Sequence, residues 1–278
     1  MFKLLILEIL KTFKKWRTYI GFLTIGIIVP LIASAIKFSG ADLEKGMMRQ
    51  FESEFLIVGN LFNGWFFSHM IMNSLFIHIP FLITLVAGDI LAGEATAGTY
   101  RILLTHSISR TKILIIKYIT ALFYSFLLIL FLALLSLGFG HLFFGGGDLL
   151  IFGKEILLLP PDELLFRFIG AYLCAVIAMW TISSLAFFFS SFVENAIGPI
   201  IGTMSVLIIF LIISELPIEF FENIKPYLFT TYTSVWMKVF EEPINIKEIF
   251  ASITYLIIYS ASFFAITLYY FKRKDILS

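Results

Sequence analysis

Six long apolar stretches constrain this chain more than any other feature of its sequence. Each is about twenty residues long or longer, which is the length that an α-helix needs to cross the hydrocarbon core of a bilayer. The chain is 60% hydrophobic and 14% charged, and its mean hydropathy of +0.98 excludes an ordinary soluble protein. The sequence predicts an all-α membrane protein, one domain over residues 1–278, with six transmembrane helices at about 18–38, 66–90, 113–144, 168–192, 196–214 and 250–271.

The first seventeen residues predict a helix that lies in the membrane surface. Apolar side chains recur there at spacings of four and three, and bases occupy several of the positions between them. This pattern is typical of an interfacial amphipathic helix, predicted over residues 2–17, whose bases are available to anionic headgroups. The alternative is that these bases only flank the first span. The residues concerned are Phe2, Ile6, Ile9, Phe13 and Trp16, with Lys11, Lys14, Lys15 and Arg17.

Three local signals refine the plan. Pro80 lies within the second span and predicts a kink, because proline removes a helical hydrogen bond and clashes with the preceding turn. Asn245 followed by Glu248 predicts the capped start of the last helix. Residues 215–249 interleave aromatic side chains with prolines and predict short helices at the membrane interface.

The distribution of charge predicts the orientation. Residues 2–17, 88–117, 193–195 and the C-terminal tail hold 12 Lys or Arg and 5 acids, a net charge of +7. The rest of the chain holds 8 bases and 14 acids, a net charge of −6. Because short cytoplasmic loops are enriched in Lys and Arg, both termini are predicted to be cytoplasmic, in a multi-pass protein of the cell membrane.

Motifs of soluble enzymes are missing from the sequence. His69 and His78 are nine residues apart, so they fall on opposite faces of a helix and are expected to bridge helices rather than bind a metal. Gly93 and Gly98 have the spacing of a phosphate-binding loop, but Thr99 and Tyr100 occupy the positions where such a loop requires Lys and then Ser or Thr. We expect no enzyme activity, no cofactor and no metal on this chain, and no nucleic-acid partner.

The polar stretch between spans two and three, residues 88–117, has the composition of a protein-docking segment. Glycines punctuate the end of span two, and an apolar patch with flanking bases follows. A short amphipathic helix of this kind, held between two spans, fits a groove on a cytoplasmic partner. The alternative is an ordinary basic loop on the inner side.

This stretch resembles the signature of ABC-2 type transporter permeases. In that family an acid-Gly-Thr segment, a Leu-Leu pair, a Pro-(Ile/Val)-Ser-Arg turn and a lysine join the second and third of six spans. Two departures stand out, because Ser107 replaces the usual proline and Tyr100 replaces an aliphatic residue. The matching residues here are Asp89, Glu94, Gly98-Thr99, Leu103-Leu104, Ser109-Arg110 and Lys117.

The resemblance implies a permease subunit of an ATP-driven transporter, an exporter of a hydrophobic or amphipathic compound. Two permease chains, identical or homologous, would pair with two copies of a separate ATPase subunit that binds ATP and Mg. A cytoplasmic coupling helix between spans two and three and the turn at 193–195 would contact that ATPase. The contact residues implied are Glu94, Gly98, Thr99, Arg101, Leu103, Leu104, Ser109, Arg110 and Glu194.

Several carboxylates and glycines have more modest roles in this interpretation. Asp89 and Glu94 are expected to pair with Arg101, Arg110 or Lys117, since an unpaired charge at the membrane is costly. Gly198 and Gly202 form a GxxxG that permits close helix packing, with a second chain as one candidate partner.

Two other classes of function compete with transport. An intramembrane enzyme would need a catalytic pair within the bilayer, against which the charge-free spans argue. A non-transporting membrane anchor that recruits an ATPase to a signalling or maturation system would carry the same central stretch. Substrate-dependent ATP hydrolysis separates the transporter from the anchor.

Overall fold

The computed structural model describes residues 1–51, 62–98, 109–152 and 156–273, and it is 84% helical. We number its α-helices and β-strands in chain order. The helices are α1 Phe2–Phe13, α2 Trp16–Phe51, α3 Gly64–Phe76, α4 Ile79–Ala87, α5 Asp89–Thr96, α6 Arg110–Phe144, α7 Pro161–Phe192, α8 Ile197–Glu215, α9 Glu219–Glu222, α10 Thr230–Thr233 and α11 Ile246–Arg273. Strands β1 Leu149–Phe152 and β2 Ile156–Leu159 lie between α6 and α7, and 3-10 turns cover Lys225–Tyr227 and Ser234–Phe240.

Among the described residues, five helices are long and apolar enough to cross a membrane. They are the first part of α2, Trp16–Phe38, and the helices α6, α7, α8 and α11. The pair α3 and α4 passes the same test of composition together but is bent by 53°. An all-helical membrane architecture, as predicted from the sequence, agrees with these elements.

The bend confirms that the second apolar stretch is interrupted. Pro80 lies in the first turn of α4, where a missing N–H breaks no helical hydrogen bond. The predicted single span 66–90 is divided again at Gly88, where α4 gives way to α5. The predicted cap of the last helix is also confirmed, because the Glu248 amide donates to Asn245 Oδ1 at 3.3 Å.

Other boundaries differ from those predicted. The predicted surface helix 2–17 ends at Phe13, and α2 begins at Trp16. Helix α2 continues to Phe51, well beyond the predicted end of span one, and α7 begins at Pro161 rather than near 168. Hydropathy locates the apolar core of a helix, whereas a polar helical extension continues as long as its hydrogen bonds do.

The chain folds as two compact units. The first comprises residues 1–21, 78–129 and 171–278. In it α4 packs on α8, and α10 packs on α8 and α11. Its core includes the fully buried rings of Tyr124, Phe187, Phe229 and Trp236.

The second unit comprises residues 22–77 and 130–170 and contains the only strands among the described residues. They form an antiparallel hairpin in which Leu149 faces Leu159, and β1 packs on α3. This hairpin was not predicted from the sequence. Leu149, Leu150 and Leu159 are buried, while Leu158 is 58% exposed.

In the second unit, the start of α3 packs closely against Gly140 and the segment that follows it. The buried Asn63 side chain caps this helix by accepting from the amides of Trp65 and Phe66 at 3.0 and 3.1 Å, and it donates to Asp148 O at 2.5 Å. A Cβ added at Gly140 would lie 2.6 Å from Gly64 O, so neither glycine leaves room for a side chain. Gly64 begins α3 and Gly140 lies in α6, so these two helices approach each other with their backbones in contact.

Candidate functional site

Seven charged side chains meet in the first unit, and we call them the charge cluster. They come from α1, from the junction between α1 and α2, from α5 and from the first turns of α6. The members are Glu8, Lys11, Lys15, Arg17, Asp89, Glu94 and Lys117.

Lys117 and Glu94 form the buried centre of the charge cluster. Only 1% of the Lys117 side chain and 3% of the Glu94 side chain is exposed. The Lys117 ammonium donates to Glu94 Oε1 and to Glu8 Oε1, both at 2.6 Å. Lys11 donates to the same oxygen of Glu94 from the other side. Burial of these charges is tolerated because each is paired and hydrogen-bonded.

Asp89 forms the second centre of the charge cluster at the start of α5. Lys15 donates to Asp89 Oδ2 at 2.7 Å, and Arg17 Nη1 donates to Asp89 Oδ1 at 2.9 Å. Gly93 lies one turn further on, and a side chain there would collide with the Asp89 carboxylate. The glycine thus leaves room for the two cations to reach an acid that is almost completely buried.

The electrostatic surroundings of Glu94 and Lys11 favour the charged forms of these two side chains. Burial alone would raise the pKa of Glu94, but the charge of Lys117 and the hydrogen bonds from Lys11 and Lys117 hold that pKa below its ordinary value. Burial would lower the pKa of Lys11, but its hydrogen bond to Glu94 and the charges of Glu94 and Glu8 raise that pKa overall. Both groups lie outside the helices that are long enough to cross a membrane.

Ser190 near the end of α7 fixes the break between α4 and α5. Its hydroxyl donates to Gly88 O at 2.5 Å and accepts from the amides of Leu91 and Ala92 at 3.2 and 2.9 Å. It therefore satisfies amides of the first turn of α5 that have no partner within the helix. A second contact joins the far end of α5 to the turn after α7, where Thr96 Oγ1 donates to Glu194 O at 2.7 Å.

The structure assigns different positions to the predicted contact residues. Glu94 lies inside the charge cluster, and the exposed Glu194 lies beside Thr96. Gly98 follows α5 with a φ of +65°, a conformation that glycine adopts without strain. Ser109 Oγ accepts from the Lys112 amide at 3.4 Å, and Arg110 begins α6. Thr99, Arg101, Leu103 and Leu104 lie outside the described residues.

The predicted glycine pair on α8 lies against its own chain. A Cβ on Gly198 would meet the Val193 side chain at 2.8 Å, and a Cβ on Gly202 would meet the Phe189 ring at 3.5 Å. These distances tie α8 to the end of α7. A contact of the two glycines with a second chain stays a prediction.

Sequence reasoning predicted only part of the charge cluster. It named Arg101, Arg110 or Lys117 as partners for Asp89 and Glu94, and of these pairings that of Lys117 with Glu94 is confirmed. It assigned the bases of residues 2–17 to lipid headgroups. Instead Lys11, Lys15 and Arg17 bind Glu94 and Asp89, which lie 72 to 83 residues further along the chain. No spacing in the sequence signals contacts at that separation.

Metal chemistry has no candidate in the part of the chain that the structure describes. No group of three or more His, Cys, Asp or Glu side chains there is placed to hold a metal ion. Cys174 is buried and unbonded.

The helices and the hydropathy define the class of this protein as a multi-pass, all-helical membrane protein. Within that class, the chain belongs to the family described as Protein of unknown function (DUF2705), whose model matches residues 23–277. The match includes Asp89, Glu94 and Lys117, whereas α1 and the bases at 11–17 precede it. A comparison with curated proteins found no match.

Proposed function

We propose that this chain is the permease subunit of an ABC-2 type ATP-driven transporter. A separate ATPase subunit would bind ATP and Mg, and two permease chains would form the path for a hydrophobic or amphipathic compound, exported from the cell. The sequence support is the ordered motif between residues 89 and 117. The structural observation that carries the proposal is the attachment of α5, which begins this motif, to four separate parts of the first unit.

Those attachments suit a segment that transmits force. Lys11 and Lys15 join α5 to α1 and the junction after it, and Lys117 joins α5 to α6. Ser190 joins the start of α5 to α7. An ATPase that moved residues 94–110 would thus displace the ends of several apolar helices together. A flexible loop would dissipate the same motion.

The contact between Thr96 and the Glu194 carbonyl also favours the proposal. Residues 94–110 and the turn at 193–195 are the two segments for which the proposal requires contact with the ATPase. They meet at 2.7 Å. One surface of the partner can therefore engage both of them.

In the proposed topology the bent pair α3 and α4 is the second of six spans. Both termini, the coupling helix between spans two and three, and α1 then lie on the cytoplasmic side of the cell membrane, as the distribution of bases requires. The attachments of α5 are consistent with that topology, because α1, the start of α6 and the turn at 193–195 would share one side.

The docking test uses the chain together with an ATPase encoded beside it. Changing Arg101, Leu103 and Leu104 to alanine removes the predicted contact surface and spares the charge cluster. The matched control changes Lys247, Leu216 and Ile218, which are exposed in the region predicted to lie on the other side, to alanine. Retained ATPase, the hydrolysis rate and the melting temperature of the permease are measured for both variants.

We expect the first variant to retain about tenfold less ATPase than wild type, because a few anchor residues, with arginine prominent among them, carry most of the energy of such contacts. The control should retain the wild-type amount, and both should melt near the wild-type temperature. Equal retention by the two variants would remove the docking assignment. Absence of any ATPase with wild type would remove the permease proposal. ATPase retained without substrate-stimulated hydrolysis would favour the membrane anchor.

A further inference from the structure

A cleft opens beside the charge cluster at the junction of α1 and α2. One side carries cations and hydroxyls, and the other side is formed by apolar residues of α4 and α5. All of its lining residues belong to the first unit: Glu8, Lys11, Thr12, Lys15, Arg17, Thr18, Leu85, Val86, Asp89 and Ile90.

Three cations at the cleft remain accessible although they are paired. Of their side chains, 44% of Lys11, 37% of Lys15 and 52% of Arg17 is exposed, whereas the acids that they bind are at least 91% buried. Each forms one of these hydrogen bonds, while an ammonium has three donors and a guanidinium has five. The buried acids hold the cations in place and leave donors for an external acceptor.

The charge of the cluster is not balanced. Four bases, Lys11, Lys15, Arg17 and Lys117, meet three acids, Glu8, Asp89 and Glu94, which leaves a net charge of +1. A single negative charge on the exposed side would neutralise the cluster. A ligand that carries a cationic group as well as its anionic group would be repelled by the exposed bases.

The surroundings of the cleft are those of a membrane interface. Trp16, between Lys15 and Arg17 in the chain, is 72% exposed, and Tyr19 is 42% exposed. Tryptophan and tyrosine favour the headgroup region. Leu7 and Leu10 of α1 are 61% and 54% exposed and would face the same boundary.

We propose that this cleft binds one anionic phospholipid. Lys15 and Arg17 would receive its phosphate, and the partly exposed Leu85 with the exposed Leu7 and Leu10 of α1 would contact the start of its acyl chains. The net charge of the cluster selects a headgroup with no ammonium, such as that of phosphatidylglycerol. The lipid would be a structural ligand of the junction between α1 and α2, and its binding does not depend on the proposed transport function.

The test titrates delipidated full-length protein in detergent with phosphatidylglycerol, phosphatidylcholine or inorganic phosphate, and counts bound ligands by native mass spectrometry. Arg17→Gln removes one cation of the cleft. Lys14→Gln is the matched control, because Lys14 is exposed, lies in the same short segment and does not line the cleft. Arg17→Lys keeps the charge and covers the case in which Arg17→Gln fails to fold.

We expect wild type to bind one phosphatidylglycerol in preference to phosphatidylcholine. Arg17→Gln should weaken this binding about fivefold, the effect of one base near an anionic lipid. Arg17→Lys should bind within about twofold of wild type, and Lys14→Gln should bind as wild type does.

Three results would overturn the proposal. They are equal binding of the two phospholipids, an equal loss in Lys14→Gln and Arg17→Gln, and a loss with Arg17→Lys as large as that with Arg17→Gln. Phosphate at millimolar concentration that displaces all lipid would identify free phosphate, not a phospholipid, as the ligand.

Discussion

The two units of this protein bring distant segments together by different chemistry. In the first unit, α1, α5 and α6 meet through seven charges, with Lys117 and Glu94 buried at the centre. In the second unit, α3 meets the end of α6 through glycine backbones and through neutral hydrogen bonds of Asn63 and Ser68. The charge cluster stabilises the first unit only while every charged partner is present and ionised. The contact between the backbones of α3 and α6 forms only where side chains are absent.

The largest loss of stability is expected when one member of the charge cluster is removed. Lys117→Met leaves Glu94 and Glu8 without their shared buried cation, and removal of one member of a buried pair costs about 3–5 kcal/mol. Lys112→Met on the same helix removes an exposed charge and should change stability by about 0.5 kcal/mol or less. Thermal unfolding of the detergent-solubilised variants measures both. Equal melting of the two variants would mean that the charge cluster does not stabilise the first unit.

A smaller loss of stability is expected when a methyl group is added where the backbones of α3 and α6 meet. Gly140→Ala places a methyl group against Gly64 O, and overpacking of this kind costs about 1–3 kcal/mol. Gly138→Ala is the matched control on the same helix, because a methyl group there meets no atom within 4 Å. That control should be neutral or stabilising by up to about 1 kcal/mol, since alanine favours the helix. Similar destabilisation by both changes would contradict the close approach of α3 and α6.

The smallest expected effect is a difference in how pH changes the stability loss caused by Glu94→Gln and by Gly140→Ala. The pKa of Glu94 is lowered from 4.5, so its contribution is fully present above pH 4.5 and is lost as the pH falls through the lower folded-state value. The pKa of Lys11 is raised from 10.5, so its contribution is present below pH 10.5 and is lost as the pH rises through the higher folded-state value.

Melting curves from neutral pH down to acid compare wild type with Glu94→Gln and Gly140→Ala. The gap between wild type and Glu94→Gln should shrink below pH 4.5, because wild type then loses the same charge. The gap for Gly140→Ala should stay constant, since no titratable group enters that contact. A Glu94→Gln gap that did not change with pH would remove the ionic account of the cluster.

Local chemistry explains what the sequence predicted. The apolar stretches, the interruption near Pro80 and the cap formed by Asn245 and Glu248 each depend on neighbouring residues, and each is present. The pairing of Glu94 with Lys117 was also predicted, because both lie in one polar stretch between apolar ones.

Long-range partners were not predictable in the same way. The bases at 11–17 suit a lipid headgroup as well as a carboxylate, and only the fold brings Asp89 within 2.9 Å of Arg17. Glycines 64 and 140 belong to different helices, so no GxxxG spacing marks their contact. The hairpin was missed because its two four-residue strands are too short to show a pattern of their own.

The separation of the cluster's partners along the chain also orders events during synthesis. The bases at 11–17 leave the ribosome long before Asp89, Glu94 and Lys117 exist, and Glu8 is then the only acid among residues 1–17. While the first helix enters the bilayer, their positive charge is nearly uncompensated, and in the proposed topology it would hold the N-terminus on the cytoplasmic side. The later arrival of α5 pairs Lys11, Lys15 and Arg17 with Glu94 and Asp89. These three side chains would thus act first as a topogenic signal and then as ion-pair partners that stabilise the finished fold.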